Sequence, residues 1–261
     1  MSRSVFPPAA SLLSRAWWRL ADHPAPLLLL GLGGSAPFAA LLLLFLKESE
    51  AGSAAPMGLA FAAAGAYLLR WPARLALARW TALEARGMAS VPAALGFAAV
   101  QLPSACLYGA LATLGCLGGL AVVVPFQLSF LAGFAANRFA ASGEESAWAS
   151  LKACGRAPLW GTGMRLICTA FTLWTCLFLL LWQGPGLMLT LASWFLKMDT
   201  VAASTLFDSF SWTAAAAVLA WTAADLLWAL AWGILAEEWR NLSEGDDLAA
   251  TLRALETAEA A

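Results

Sequence analysis

Residues 87–137 read GMASVPAALGFAAVQLPSACLYGALATLGCLGGLAVVVPFQLSFLAGFAAN and contain no Asp, Glu, Lys, Arg or His. The run is more than twice the roughly 20 residues that a helix needs to cross about 30 Å of hydrocarbon. It holds either one span with long apolar flanks or two spans joined by an uncharged turn. The basic residues on either side decide between them. With two spans and a turn near Gly115 to Gly119, thirteen of the fifteen Lys and Arg fall in alternate gaps. These are Arg3, Arg15 and Arg19; Arg70, Arg74, Arg79 and Arg86; Arg138, Lys152, Arg156 and Arg165; and Arg240 and Arg253, with only Lys47 and Lys197 on the other side. With one span the division falls to eight against seven. Basic residues concentrate in cytoplasmic loops, so the sequence predicts an all-α, polytopic transmembrane helical bundle of six spans with both termini cytoplasmic.

Composition agrees with that class. The chain is 61% hydrophobic and 12% charged, against about 25% charged for an average soluble protein, which leaves too little polar surface to coat a water-facing fold. Residues 166–196 form a second long stretch without Asp, Glu, Lys or Arg. A net charge of -1 gives no electrostatic case for nucleic acid.

The first span is expected over Pro26 to Leu46, with Asp22 as helix cap ahead of the prolines. The second, Ala54 to Leu69, is rich in small residues and is expected inside the bundle, ending at Arg70-Trp71-Pro72. The fifth runs from Leu166 to Trp182, where Gly184-Pro185-Gly186 is expected to stop it. Leu187 to Phe195 then lies flat on the outer surface or re-enters. The sixth, Trp212 to Ala236, is interrupted only by Asp225. The domains implied are a cytoplasmic N-terminal interfacial helix over 1–25, the bundle over 26–238, and a cytoplasmic tail over 239–261.

Two segments have the spacing of interfacial amphipathic helices beside anionic lipid. In one, Leu12, Leu13, Ala16, Trp17 and Leu20 line a face opposite Arg15 and Arg19. In the other, Trp148, Leu151 and Cys154 accompany Lys152 and Arg156. The long polar lead and long apolar run of the N-terminus differ from a cleavable signal, whose apolar core is about 7 to 15 residues. It reads as the first span.

No residue pattern specifies a reaction. The five cysteines form no CxxC pair and the single histidine is His23, so metal, haem and iron–sulfur ligand sets are missing. The cysteines read as buried small hydrophobes. There is no HExxH, GxSxG elbow or P-loop. The sequence therefore predicts no catalytic centre and no cofactor.

Asp225 is the exception within the spans. A carboxylate at mid-span costs about 2.5–3.5 kcal/mol on insertion scales and needs a partner. Trp221, Trp228 and Trp232 share its helical face, so the expected candidate site is Asp225 with these three indoles. An indole N–H stapling the carboxylate is favoured over a proton or cation relay, because no second charged residue stands at comparable depth in the predicted spans. Trp71, Trp160, Trp182, Trp194, Trp212 and Trp239 fall near span ends, where aromatic belts form. Trp174 and the three indoles around Asp225 lie deeper.

In the tail, Asp246 can cap a short helix whose stripe is Leu248, Leu252 and Leu255. The Glu237-Glu238-Trp239-Arg240 stretch, the Ser243-Glu244-Gly245-Asp246-Asp247-Leu248 that follows, and the inner segment Ser146 to Lys152 carry a resemblance. The chain resembles a group of six-helix bacterial membrane proteins similar to the membrane domain attached to some glycerophosphoryl diester phosphodiesterases. In that group the acid of the last span is commonly followed by proline, whereas Asp225 precedes Leu226. The resemblance implies the fold, the topology and a place in a bacterial envelope assembly, and it transfers no catalytic residue. The expected function is a non-enzymatic accessory or scaffold subunit of a bacterial inner-membrane complex, with membrane lipids and other membrane subunits as partners. The alternative is a small transporter or lipid-handling protein using Asp225 and the deep tryptophans.

Overall fold

A computed structural model describes residues 8–52, 56–119, 126–143, 146–154, 160–196, 207 and 209–244. Among these, every regular element is helical: α1 (Ala9–Asp22), α2 (Pro24–Glu50), α3 (Pro56–Glu84), α4 (Val91–Val100), α5 (Leu102–Gly119), α6 (Phe126–Ser142), α7 (Ala147–Cys154), α8 (Trp160–Leu196) and α9 (Phe210–Glu244). Three helices are long and apolar enough to cross a membrane: Pro24–Glu50, Gly163–Phe195 and Phe210–Arg240. The pair α4 and α5, bent by 76° at Gln101, makes a fourth if it is one span. The bend falls where Pro103, in the first turn of α5, has no N–H to give to a carbonyl of α4.

α3 organises the bundle, packing against α2, α4, α5, α6 and α9. Glycines on its neighbours set how close it comes. A Cβ at Gly34 of α2 would lie 2.5 Å from Cβ of Ala73 and 3.3 Å from the Arg70 backbone, and one at Gly109 of α5 would lie 2.7 Å from Cδ1 of Trp71. The second half of α3, from Arg70 to Thr81, is therefore largely buried, while Met57, Phe61, Leu68 and Leu69 in its first half are exposed. The small-residue segment 54–69 was expected inside the bundle. It lies at the edge instead, with only Ala63 and Ala66 buried in that half.

Several expected boundaries shift, each because a helix continues through a signal that ends helices in water. α2 is not capped by Asp22, which ends α1. Its cap is His23, which makes no side-chain cap bond and is followed by Pro24. α5 runs through Gly119, so the turn is not at 115–119 and falls in 120–125, outside the described residues. α8 continues through Gly184-Pro185-Gly186 to Leu196, so Leu187 to Phe195 is neither a flat nor a re-entrant piece but the end of one helix. Proline removes one hydrogen bond, whereas breaking the chain in apolar surroundings would leave several backbone groups unsatisfied at several kcal/mol each. α9 extends through Trp239 and Arg240, which makes the start of the tail part of the last helix. The expected helix at Asp246 to Leu255 lies outside the described residues.

The two amphipathic segments spend most of their apolar faces on the protein. Leu12 and Ala16 of α1 are fully buried, in an element that packs on α9 and α8, while Trp17 and Trp18 are exposed. In α7, Leu151 and Cys154 are buried and Trp148 is exposed. The expectation of buried cysteines holds for Cys154, whereas Cys106, Cys168 and Cys176 are exposed on faces of α5 and α8 that no described helix covers.

The end of α6 offers a test of the fold. Gly143 closes it at φ +72, a left-handed conformation that costs an L side chain roughly 1–2 kcal/mol. Arg79 donates to the Ala140 carbonyl at 3.0 Å, and Arg86 to that of Ala141 at 3.2 Å. A Cβ at Gly143 would reach Arg79 Nη1 at 2.5 Å. Gly143→Ala is expected to lower stability by about 1–3 kcal/mol, measured by chemical unfolding in detergent. A change within about 0.5 kcal/mol, the usual range for a neutral surface site, would contradict this geometry.

Candidate functional site

Arg70 and Arg74 stand one turn apart on α3, so both side chains leave the same face of the helix. That face meets α9 at Asp225. Arg70 Nη2 donates to Asp225 Oδ1 at 3.2 Å, and Arg74 Nη2 donates to the same oxygen. The partners are 155 and 151 positions apart in the chain. The side chains of Arg70 and Asp225 are each 8% exposed, and that of Arg74 is 23% exposed.

Aromatic rings complete the surroundings. The Arg70 guanidinium lies 4.6 Å from the Trp221 ring and 5.0 Å from that of Tyr67, and Phe38 stands edge-on to both rings at 5.4 Å. Arg74 lies 5.1 Å from the Trp71 ring. A weakly hydrated, planar guanidinium is suited to such faces. Of the expected indoles, Trp221 does reach the site, but as a cation–π surface under Arg70 rather than as a donor to Asp225. Trp228 leaves its Nε1 buried without an acceptor, and Trp232 packs edge-on against Phe134 at 5.9 Å.

The depth of the cluster follows from the two ends of α9. At one end Ser211 donates to Glu50 at 2.8 Å. At the other, Arg19 pairs with Glu84 at 3.0 Å and Glu237 at 3.7 Å, His23 faces Glu84 at 3.5 Å, and Arg15 meets Glu238 at 2.5 Å. At 1.5 Å per residue, Asp225 lies about 21 Å along the helix from Ser211 and about 18 Å from Glu237. The terminal polar groups are those that would meet water, and the cluster is midway between them. The objection that no other charged residue shares the depth of Asp225 is thereby overturned: Arg70 and Arg74 do.

A carboxylate removed from water needs compensation, and two guanidiniums supply it; leaving either partner alone there would cost several kcal/mol. The cluster can lock α3 to α9. Its three residues also carry one positive charge in sum, so it can hold an acceptor group, and it offers no nucleophile for chemistry.

The remaining deep tryptophan belongs to the packing of α8 on α9. Trp174, Phe178 and Trp182 stack at 5.7 and 5.5 Å along α8, Trp174 Nε1 donates to the Ala217 carbonyl at 3.2 Å, and Trp212 Nε1 donates to that of Trp182 at 3.4 Å. Among the described residues, no three His, Cys, Asp or Glu side chains gather as a metal site.

Sequence reasoning missed Arg70 and Arg74 because basic residues before a proline mark the cytoplasmic end of a span. One signal was available: Tyr67, Arg70 and Arg74 share a helical face, the complement that a buried carboxylate ringed by indoles requires. No family model matches the chain, and neither the curated proteins nor the solved structures contain a match to it.

Proposed function

We propose that the chain is a six-span integral membrane protein of a bacterial inner membrane, with cytoplasmic termini and no catalytic centre, and that it works as an accessory or scaffold subunit. α2, α3, the α4–α5 pair, α6, α8 and α9 supply six segments for the spans, and the distribution of basic residues supports the orientation. The resemblance to the membrane domain attached to glycerophosphoryl diester phosphodiesterases points the same way.

The observation that carries the subunit role is the outer half of α3. Gly58, Ala62 and Gly65 recur at helical spacing on an exposed face, and neither glycine has a neighbour within 4 Å of its would-be Cβ. Small residues on a membrane helix let a second backbone approach closely, and here no part of the chain does. α8 adds a second open flank, with only 11% of its most apolar window buried.

Mild detergent extraction of the tagged full chain from its host, followed by mass spectrometry, is expected to recover stoichiometric membrane partners. Gly65→Leu is expected to release them while leaving the thermal unfolding of the chain itself unchanged. Recovery of the wild type as a lone monomer would defeat the proposal.

The mid-depth cluster supports a second reading, a small transporter or lipid-handling protein using Asp225 and Trp221. A folded Asp225→Asn variant without transport would favour it, since the lock alone predicts lost stability.

A further inference from the structure

We propose that Arg74, together with Arg70 and Asp225, forms a binding site for one phosphate-type oxyanion, either free phosphate or the phosphodiester of an anionic lipid. The inference goes beyond the subunit role and stands independently of it.

Charge is the first support. Both guanidiniums stay protonated at any physiological pH, and they share a single carboxylate oxygen. At mid-depth a surplus positive charge is costly unless a counter-charge reaches it. Among the described residues, Asp225 is the carboxylate paired with Arg74. Glu84, Glu237 and Glu238 are engaged at one end of the bundle and Glu50 at the other.

The donor inventory is the second and independent support. Arg74 Nε and Trp71 Nε1 are both buried without an acceptor, the Trp71 residue is 3% exposed, and the Arg74 guanidinium lies over the ring of Trp71. Trp228 Nε1, one turn beyond Asp225 on α9, is a third buried donor without an acceptor. Guanidinium and indole nitrogens can only donate. What satisfies them is a group that only accepts, and a tetrahedral oxyanion presents several acceptor oxygens to an arginine fork.

Access is the third. The Arg74 side chain is 23% exposed where its two partners are 8% exposed, so the cluster opens on the Arg74 side. A cation is disfavoured there by the surplus charge.

The test is thermal unfolding of the purified full chain in two arms. In zwitterionic nanodiscs, inorganic phosphate is compared with chloride at equal ionic strength. In the other arm, nanodiscs containing phosphatidylglycerol are compared with purely zwitterionic ones. Binding to the folded state raises Tm with ligand concentration, so the wild type is expected to rise in at least one arm. A rise with phosphate alone assigns a free anion, and a rise with phosphatidylglycerol alone assigns a lipid headgroup; each supports the site.

Arg74→Gln is expected to weaken binding about tenfold or more, the scale of one charge-assisted contact. Arg74→Lys, which keeps the charge but loses the fork, is expected to fall between Gln and wild type. Asp225→Asn starts less stable and is expected to gain more from the ligand than wild type does, because the summed charge of the three residues rises. No shift of the wild type in either arm overturns the proposal. So does a shift that Arg74→Gln retains in full, which would mark general exclusion of phosphate from the protein surface. An Asp225→Asn variant that no anion restores also counts against it, since a purely structural lock predicts that result.

Discussion

Asp225→Asn is expected to cost about 3–5 kcal/mol of stability in the absence of an oxyanion, the scale measured when one partner of a buried ion pair is removed. The asparagine fits the space of the aspartate, so sterics contribute little. What changes is charge: Arg70, held between Tyr67 and Trp221, and Arg74, over Trp71, lose the oxygen on which both bonds converge. Neither guanidinium can shed its proton to escape. Chemical unfolding in mixed micelles, wild type against variant, measures the loss. For comparison, removing Arg15 from its pair with Glu238 is expected to cost at most about 1 kcal/mol, because both groups are well exposed to screening solvent. An Asp225 variant no less stable than the Arg15 variant would show that α3 and α9 are held together by packing alone.

Gly34→Leu is expected to have the second largest effect, a loss of about 1–3 kcal/mol or more. Gly34 meets α3 at the turn that carries the cluster, with room for no Cβ between it and Ala73 or the Arg70 backbone. A leucine must push α3 away from α2, and the displacement moves Arg70 relative to Asp225. Gly33, one residue earlier, supplies the control. It has nothing within 4 Å and borders an apolar groove of about 400 Å³ between α2, α3 and α4, lined by Leu29, Leu30, Pro72, Ala73, Leu95 and Ala98 among others. Gly33→Leu is expected to change stability by no more than about 0.5 kcal/mol. Equal losses at the two positions would contradict the packing of α2 on α3 described above.

How much was legible in advance differs by residue. Asp225 was identified from the sequence because a lone carboxylate in an apolar helix is costly wherever the helix packs. Its arginines were not identified. Their position before Pro72 is that of a span end, and a pairing across some 150 positions leaves no periodicity in the chain. Pro185 misled in the same way: flanked by glycines it stops a helix in water, yet α8 passes through it. The small residues of segment 54–69 showed that close approach is possible there, but not that the neighbour would lie outside this chain. Leu12 and Ala16 showed an apolar face on α1 without telling whether protein or lipid covers it.

The sequence by itself determined the helical class, the presence of apolar helices long enough to cross a membrane, and one charge that could not be left alone. These follow from composition and from the cost of polar groups away from water, which act residue by residue along the chain. Only the tertiary structure decided which helices continue through Pro72 and Pro185, which face of α3 is buried, and that Arg70 and Arg74 converge on Asp225. Those outcomes depend on distances between residues far apart in the chain, set by where a glycine lets two backbones touch. A local pattern carries the price of burying a charge, and only the packed bundle supplies the charge that answers it.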